Sequence, residues 1–297
     1  MIDKNLEYAV VPIAGLGTRM LPATKSIPKE MLPIFDTPVI QHVVEEIKSA
    51  GFSKIIFITH SSKNDIGNHF DKSFELEATL EKRIKRSQLK EIKNISDKEV
   101  DMLYVRQGEA LGLGHAIKCA STIVGKKPFA VVLPDRVLDK YSCNKEKDNL
   151  AKLKKHFLKN KKNCFLVSEV PQSDVNKFGI IKPKKISDKF ILVEKIIEKP
   201  SKSKAPSNMA SVGRYIFTAD IFDYIPDNSS GKSKEIELTD AIQDLIDAKY
   251  EIHAITSKGQ YFDCGDKVGY FEAFISFAYK DNKLGDILKN LTREILE

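Results

Sequence analysis

Continuous apolar runs and helical periodicity alternate through the first half of the chain. Tyr8–Ile13, Lys54–Thr59, Met102–Arg106 and Phe129–Leu133 have the length and composition of strands buried on both faces. Between the first two, Val39, Ile40, Val43, Val44 and Ile47 recur on one helical face, and Gly51 closes the pattern. Between the last two, Gly114–Thr122 reads as a helix. The alternation predicts an α/β fold with a Rossmann-like, doubly wound sheet and right-handed crossovers. Leu150, Leu153, Phe157 and Leu158 mark another amphipathic helix, followed by a strand at Cys164–Val170. Beyond it, strand-like runs at Ile191–Ile197 and Met209–Phe217 precede helices near Leu238–Asp247 and Lys267–Tyr279. The sheet is therefore expected to be mixed but mainly parallel.

Residues 61–98 are highly charged and helical in pattern, which predicts an insertion that leaves the sheet. Residues 266–297 read as a C-terminal helical segment, and a C-terminal portion of the chain is expected to cover the sheet's mouth. Without a repeat or a low-complexity linker, the 297 residues are expected to form a single domain spanning 1–297. No run reaches the ~18 apolar residues that a membrane span needs. The polar start, Met1 to Glu7, does not resemble a secretory signal, so a cytoplasmic setting is expected. The four cysteines (Cys119, Cys143, Cys164, Cys264) lack metal-ligand spacing and are expected to be free thiols. A net charge of +7 raises the question of nucleic acid. Much of the lysine lies in Lys152–Lys162 and Lys182–Lys204, without interleaved aromatics, so solvated faces are expected there and no nucleic-acid partner.

The chemistry concentrates after the first strand. Gly15-Leu-Gly17 opens like a dinucleotide fingerprint, but Met20 stands where a third glycine belongs. Alone, this could be a tight turn. Arg19 and Lys29 follow, separated by Pro22 and Pro28, which disfavour a continuous helix. An ordered loop folding back over a polyphosphate fits these residues. Asp135 follows a predicted strand at the end where open α/β sheets bind ligands, and Asp263 repeats the arrangement late in the chain. Two such carboxylates could hold Mg²⁺. Gln107 beside Gly108, with Gly112 shortly after, could read a flat base edge, or be an incidental turn. Glu198-Lys199 could meet sugar hydroxyls and an anomeric phosphate, or simply end a strand.

Together these segments resemble the sugar-nucleotide pyrophosphorylases, whose signature is G-x-G-T-R followed by P-K-x-M-L-P. The similarity is greatest to the bacterial branch that joins UTP to glucose 1-phosphate. It rests on Ala14–Pro33, Thr59–Asn64, Val105–Gly108, Gly112–His115, Leu133–Asp135, Glu198–Pro200, Ala205–Asn208, Val212–Tyr215, Leu238–Ile242 and Phe262–Gly265, nearly the full chain. The resemblance implies the nucleotide-diphospho-sugar transferase fold as a single nucleotidyltransferase domain. It implies conversion of UTP and α-D-glucose 1-phosphate to UDP-glucose and pyrophosphate, with Mg²⁺ as cofactor. By position, Ala14, Gly15, Gly17, Thr18, Glu30, Gln107 and Gly112 would bind the nucleotide. Arg19 and Lys29 would be catalytic, and Gly179, Glu198 and Lys199 would bind the sugar phosphate. Asp135 and Asp263 would hold the metal, and a homo-oligomer, tetramer or dimer, is implied.

Three other readings remain open to the sequence: the same transfer with another base, a non-catalytic regulatory relative, and a nucleic-acid binder. The loop keeps Thr18 and Arg19, which a regulator would be expected to lose.

Overall fold

The computed structural model describes residues 6–96, 100–227 and 235–296. Its centre is a nine-stranded mixed sheet. The strands are β1 (Tyr8–Pro12), β2 (Lys54–Thr59), β3 (Asp101–Arg106), β4 (Phe129–Val132), β5 (Asn163–Glu169), β6 (Gly179–Ile186), β7 (Ile191–Glu198), β8 (Met209–Phe217) and β9 (Ile252–Thr256). Their order across the sheet is β3-β2-β1-β4-β8-β5-β9-β7-β6. The first four are mutually parallel, and so are β5 and β9. Strand β8 runs antiparallel to both β4 and β5, and β7 to β9 and β6. The sheet is therefore mixed, as expected, but its neighbouring pairs are not mainly parallel. The parallel, helix-connected pattern of the first half gives way largely to antiparallel neighbours in the second.

Alternation along the strands splits the core between the two faces. Val10, Ile56, Ile58 and Val131 meet Ala116 and Ile117 of helix Leu113–Lys118, together with Leu238 and Ile242 of helix Leu238–Asp247. Val11, Ile55, Phe57 and Val132 meet Val43 and Ile47 of helix Val39–Ser49, with Leu150, Leu153 and Phe157 of helix Asn149–Asn160. A fully buried Leu or Phe contributes roughly 1.5–3 kcal/mol, so these two layers dominate folding.

The expected helix over Gly114–Thr122 is two short helices, Leu113–Lys118 and Ser121–Val124. Strands β6 and β9 had no counterpart in the sequence pattern. Strand β6 ends the strand order, but its first half also pairs antiparallel with β8 through Ile180 and Ala210. From Lys182 onward, with three lysines and Pro183, it is the kind of strand an edge tolerates. Strand β9 is short and carries His253 as its second residue. Within residues 61–96, helix Asn64–Phe70 buries Ile66 and Phe70, whereas helices Phe74–Lys82 and Arg86–Ile95 have no fully buried residue, and only Ile95 of the second packs partly against the core. Residues 97, 98 and 297, which complete the two sequence segments, lie outside the described residues. Among the described residues no helix is long and apolar enough to cross a membrane.

Candidate active site

The carboxyl ends of β1 to β4 lie on one edge of the sheet, and each delivers a segment of the site. After β1 the chain enters a loop of three short 3₁₀ turns, Thr18–Met20, Ala23–Lys25 and Lys29–Met31. Pro22 and Pro28 precede the second and third turns and keep the segment from becoming one helix. Gly17 adopts φ +67°, and its carbonyl accepts from Thr24 Oγ1 at 2.8 Å, which ties the loop to itself. At Gly15 the space a Cβ would occupy is empty. After β4, Arg136–Leu138 pairs antiparallel with Tyr261–Asp263, and Asp263 lies opposite Arg136. Cys264 N donates to Asp135 O at 2.7 Å. This ribbon brings two carboxylates together that are far apart in the sequence.

Two cavities open along the edge. The first, about 470 Å³, is lined by Ala14, Gly15, Thr18, Glu30, Gln107 and Gly112. The second, about 380 Å³, is lined by Arg19, Gly179, Glu198, Lys199 and Asp263, with Arg136 and Thr239. Lys29 and Asp135 line both. Every site residue expected from the sequence thus falls on one cavity wall or the other, except Gly17, which shapes the loop behind them.

At the junction, Lys29 Nζ donates to Asp135 Oδ2 at 2.7 Å. Burial alone would raise the Asp135 carboxyl, but Lys29 and then Arg136 outweigh it and hold the group well below the usual carboxylate range. Burial works against the Lys29 ammonium, yet Asp135 and Glu30 raise it above its ordinary value. Arg136 Nη2 lies 3.2 Å from Asp263 Oδ2, and Arg19 Nη1 lies 3.8 Å from the same oxygen. A Cβ on Gly265 would fall 2.7 Å from Arg19 Nη2, 2.7 Å from Asp135 Oδ2 and 3.0 Å from Asp263 Oδ1. Gly265 therefore keeps open a small cradle on which two carboxylates converge. Among the described residues no third His, Cys, Asp or Glu joins them. A divalent ion here would take its remaining ligands from substrate phosphate and water, as Mg²⁺ commonly does.

In the first cavity, Gln107 Nε2 donates to Gly112 O at 3.2 Å and lies 3.0 Å from His115 Nδ1. The amide nitrogen is thereby occupied, and the oxygen is the end left for a ligand. Gly112 holds φ +103°, and a side chain there would meet Ile236 O at 2.7 Å. Glu30 is buried and accepts from Lys63 Nζ at 2.7 Å, while its Oε1 has no hydrogen-bond partner. In the second cavity, Gly179 and Glu198 face each other across β6 and β7. Lys199 sits at φ +42°, a conformation non-glycine residues rarely take, beside Glu198. Thr239 Oγ1 on the same wall is buried without a partner. Unsatisfied buried groups on a cavity wall mark where a polar ligand would complete the bonding.

Four residues with a place in this geometry escaped the sequence reading. Arg136 pairs with Asp263 and lies 4.5 Å from the centre of the Phe178 ring; its only signal was adjacency to Asp135. Lys63 was visible as part of Thr59–Asn64, but its pairing with Glu30 was not. Arg214, in Val212–Tyr215, looked like a strand residue and is fully buried. Thr239 carried no signal beyond its place in Leu238–Ile242.

A family profile described as nucleotidyl transferase matches residues 8–280. A UTP–glucose-1-phosphate uridylyltransferase of Haemophilus ducreyi is 48% identical over 289 residues, 96% of this chain and 98% of that one. A UTP-bound UGPase from Acinetobacter baumannii superposes with a TM-score of 0.89 at 40% identity, covering 98% of this chain and 99% of that one. A UDP-glucose pyrophosphorylase complexed with UDP-glucose does so with a TM-score of 0.83 at 35% identity, over 93% of this chain and 100% of that one.

Proposed function

Because the chain belongs to the nucleotidyl transferase family, among its UTP–glucose-1-phosphate uridylyltransferases, we propose that it converts UTP and α-D-glucose 1-phosphate to UDP-glucose and pyrophosphate. The nucleotide occupies the first cavity and the sugar phosphate the second. The observation that carries this reading is the shared wall: Lys29 and Asp135 border both cavities, where the two substrates' phosphates would meet.

In the transfer, a phosphate oxygen of glucose 1-phosphate attacks the α-phosphorus in line. The new P–O bond forms as the bond to the β-phosphate oxygen breaks, and pyrophosphate leaves with that electron pair. The attacking oxygen is already anionic near neutrality, so no general base is needed. The protein's task is to bring two polyanions together and to hold the developing charge. Lys29 neutralises charge at the α-phosphorus. Arg19, beside the Gly265 cradle, receives the departing pyrophosphate. Gln107 Oε1 is suited to accept the imide N–H of uracil, and the free Glu30 oxygen to accept a further donor of the nucleoside. Backbone at Ala14, Gly15 and Gly112, with Thr18, lines the cavity closely enough for direct contact. Glu198 accepts sugar hydroxyls across from Gly179, and Lys199 meets the anomeric phosphate.

The Gly265 cradle supports Mg²⁺ as the cofactor, held by Asp135 and Asp263. Bound there, it would supply charge neutralisation to the phosphates.

We read the chain as one nucleotidyltransferase domain, doubly wound in its first half, with helices on both faces in support. Exposed Phe271, Ile275, Tyr279, Ile287 and Leu291 on the two C-terminal helices support a homo-oligomer, dimer or tetramer. Four free thiols agree with a cytoplasmic setting. The test of the reaction is UDP-glucose formation from UTP and glucose 1-phosphate that stops with a chelator and resumes with added Mg²⁺. Undiminished product in excess chelator would remove the metal from the account.

A further inference from the structure

Arg214 is a charged residue with no exposed surface, and its surroundings account for its presence. It lies where the pairing of β8 with β5 shifts register, between Ser211 and Tyr215. Gly213 makes that irregularity possible at φ +77°, with Leu133 so close that a Cβ would fall 2.9 Å from its own. Bulges of this kind re-aim side chains near active sites. Gly213 O accepts from Leu133 N at 2.9 Å. From the other side, Arg214 Nη1 donates to Leu133 O at 3.1 Å and Nη2 to Arg136 O at 2.6 Å. The two carbonyls bracket Pro134 and Asp135. The same guanidinium meets Glu46, with Nη2 to Oε2 at 2.7 Å and Nε to Oε1 at 3.3 Å. Glu46 also accepts from the Tyr261 hydroxyl at 3.5 Å. Tyr261 begins the strand that ends in Asp263.

We propose that Arg214 and Glu46 are positioning residues for the two site carboxylates, the guanidinium fixing the turn that carries Asp135 and Glu46 steadying the strand that presents Asp263. The proposal rests on the reading of Asp135 and Asp263 as the metal-holding pair. Stability alone is a poor reason for the arrangement, since a well-packed apolar pair of similar volume often stabilises a core as much. What apolar side chains cannot do is bond two carbonyls and a carboxylate at once. The planar fork of an arginine has the donors and the spread for that, and a lysine ammonium does not.

The test is Mn²⁺ binding, read by electron paramagnetic resonance with a UTP analogue that cannot be cleaved between its α- and β-phosphates. No turnover enters that measurement. Arg214→Lys is expected to weaken Mn²⁺ by about 10- to 100-fold, the usual cost of losing a group that orients a metal ligand. Phe157→Leu, in the core under helix Asn149–Asn160, serves as a control for lost stability and is expected to bind Mn²⁺ as the parent does. Arg214→Lys with a lowered melting temperature and parental Mn²⁺ affinity would overturn the proposal. Should Arg214→Lys not fold, Tyr261→Phe decides: weakened Mn²⁺ supports the proposal and parental affinity overturns it. Asp135→Asn is the separate check, because parental affinity there removes the metal reading itself.

Discussion

Lys29 and Asp135 form a 2.7 Å ion pair on the wall shared by two cavities. An isolated lysine this deep in a protein would be inclined to lose its proton, and an isolated aspartate to gain one. Each prevents that in the other, so a cation and an anion stand ready where substrate charge arrives. At an effective dielectric near 20, a cation about 4 Å from a phosphate charge gains about 4 kcal/mol before desolvation. Lys29→Ala and Arg19→Ala are expected to lower kcat by about 10²–10³, by analogy with losing one preorganised donor. Steady-state turnover of folded, purified variants checks this, and near-parental kcat would remove the assigned roles.

Gly265→Ala should act by filling space at the site, without removing any side chain that binds substrate. The added methyl enters the cradle that Arg19, Asp135 and Asp263 surround. The expected outcome is a loss of kcat of about tenfold or more, on the scale of a small misplacement of catalytic groups. Circular dichroism should show the fold retained. Parental activity would mean the three side chains do not need that space.

The ionisations of the pair also set an expectation for pH. Asp135 is depressed in the folded chain, so its contribution to stability is present above the ordinary carboxylate range and is lost as pH falls through the lowered value. Lys29 is raised, so its contribution is present below the ordinary lysine value and is lost as pH rises through the higher one. Neither titrates near neutrality. An acid limb in kcat/KM for glucose 1-phosphate should therefore follow the substrate, whose phosphate monoester gains a proton near pH ~6. A fluorinated sugar phosphate of lower pKa should move that limb downward. A limb that stays in place would assign it to the protein.

Glu198→Gln should raise KM for glucose 1-phosphate by about tenfold or more, since a hydrogen bond to a charged group is worth about 1.5–3 kcal/mol. KM for UTP should change less than twofold, because Glu198 lines only the second cavity. Initial rates with each substrate varied in turn separate the two, and equal shifts would contradict the division between cavities.

The sequence revealed the elements whose signals are local. Apolar continuity marked β1 and β2 because both faces of a central strand are covered. It could not mark β6, where an edge position tolerates three lysines and Pro183. The site was legible wherever residues sit in one short motif, as from Ala14 to Lys29. Its long-range pairings were not. The antiparallel ribbon that sets Asp263 opposite Arg136 has no signature in either segment alone. Arg214 shows the same limit from the other side. Its buried place follows from a bulge at Gly213 and from Glu46 on a distant helix, which no periodicity reports.

Turnover of glucose 1-phosphate with UTP, dTTP, CTP and ATP, measured side by side as Mg²⁺-dependent pyrophosphate release, tests the central claim most directly. The account predicts efficient release with UTP and at least a tenfold lower kcat/KM with each of the others. Equal rates with dTTP would contradict the uridylyl reading. Silence with all four, from folded protein, would contradict catalysis at the Lys29–Asp135 junction.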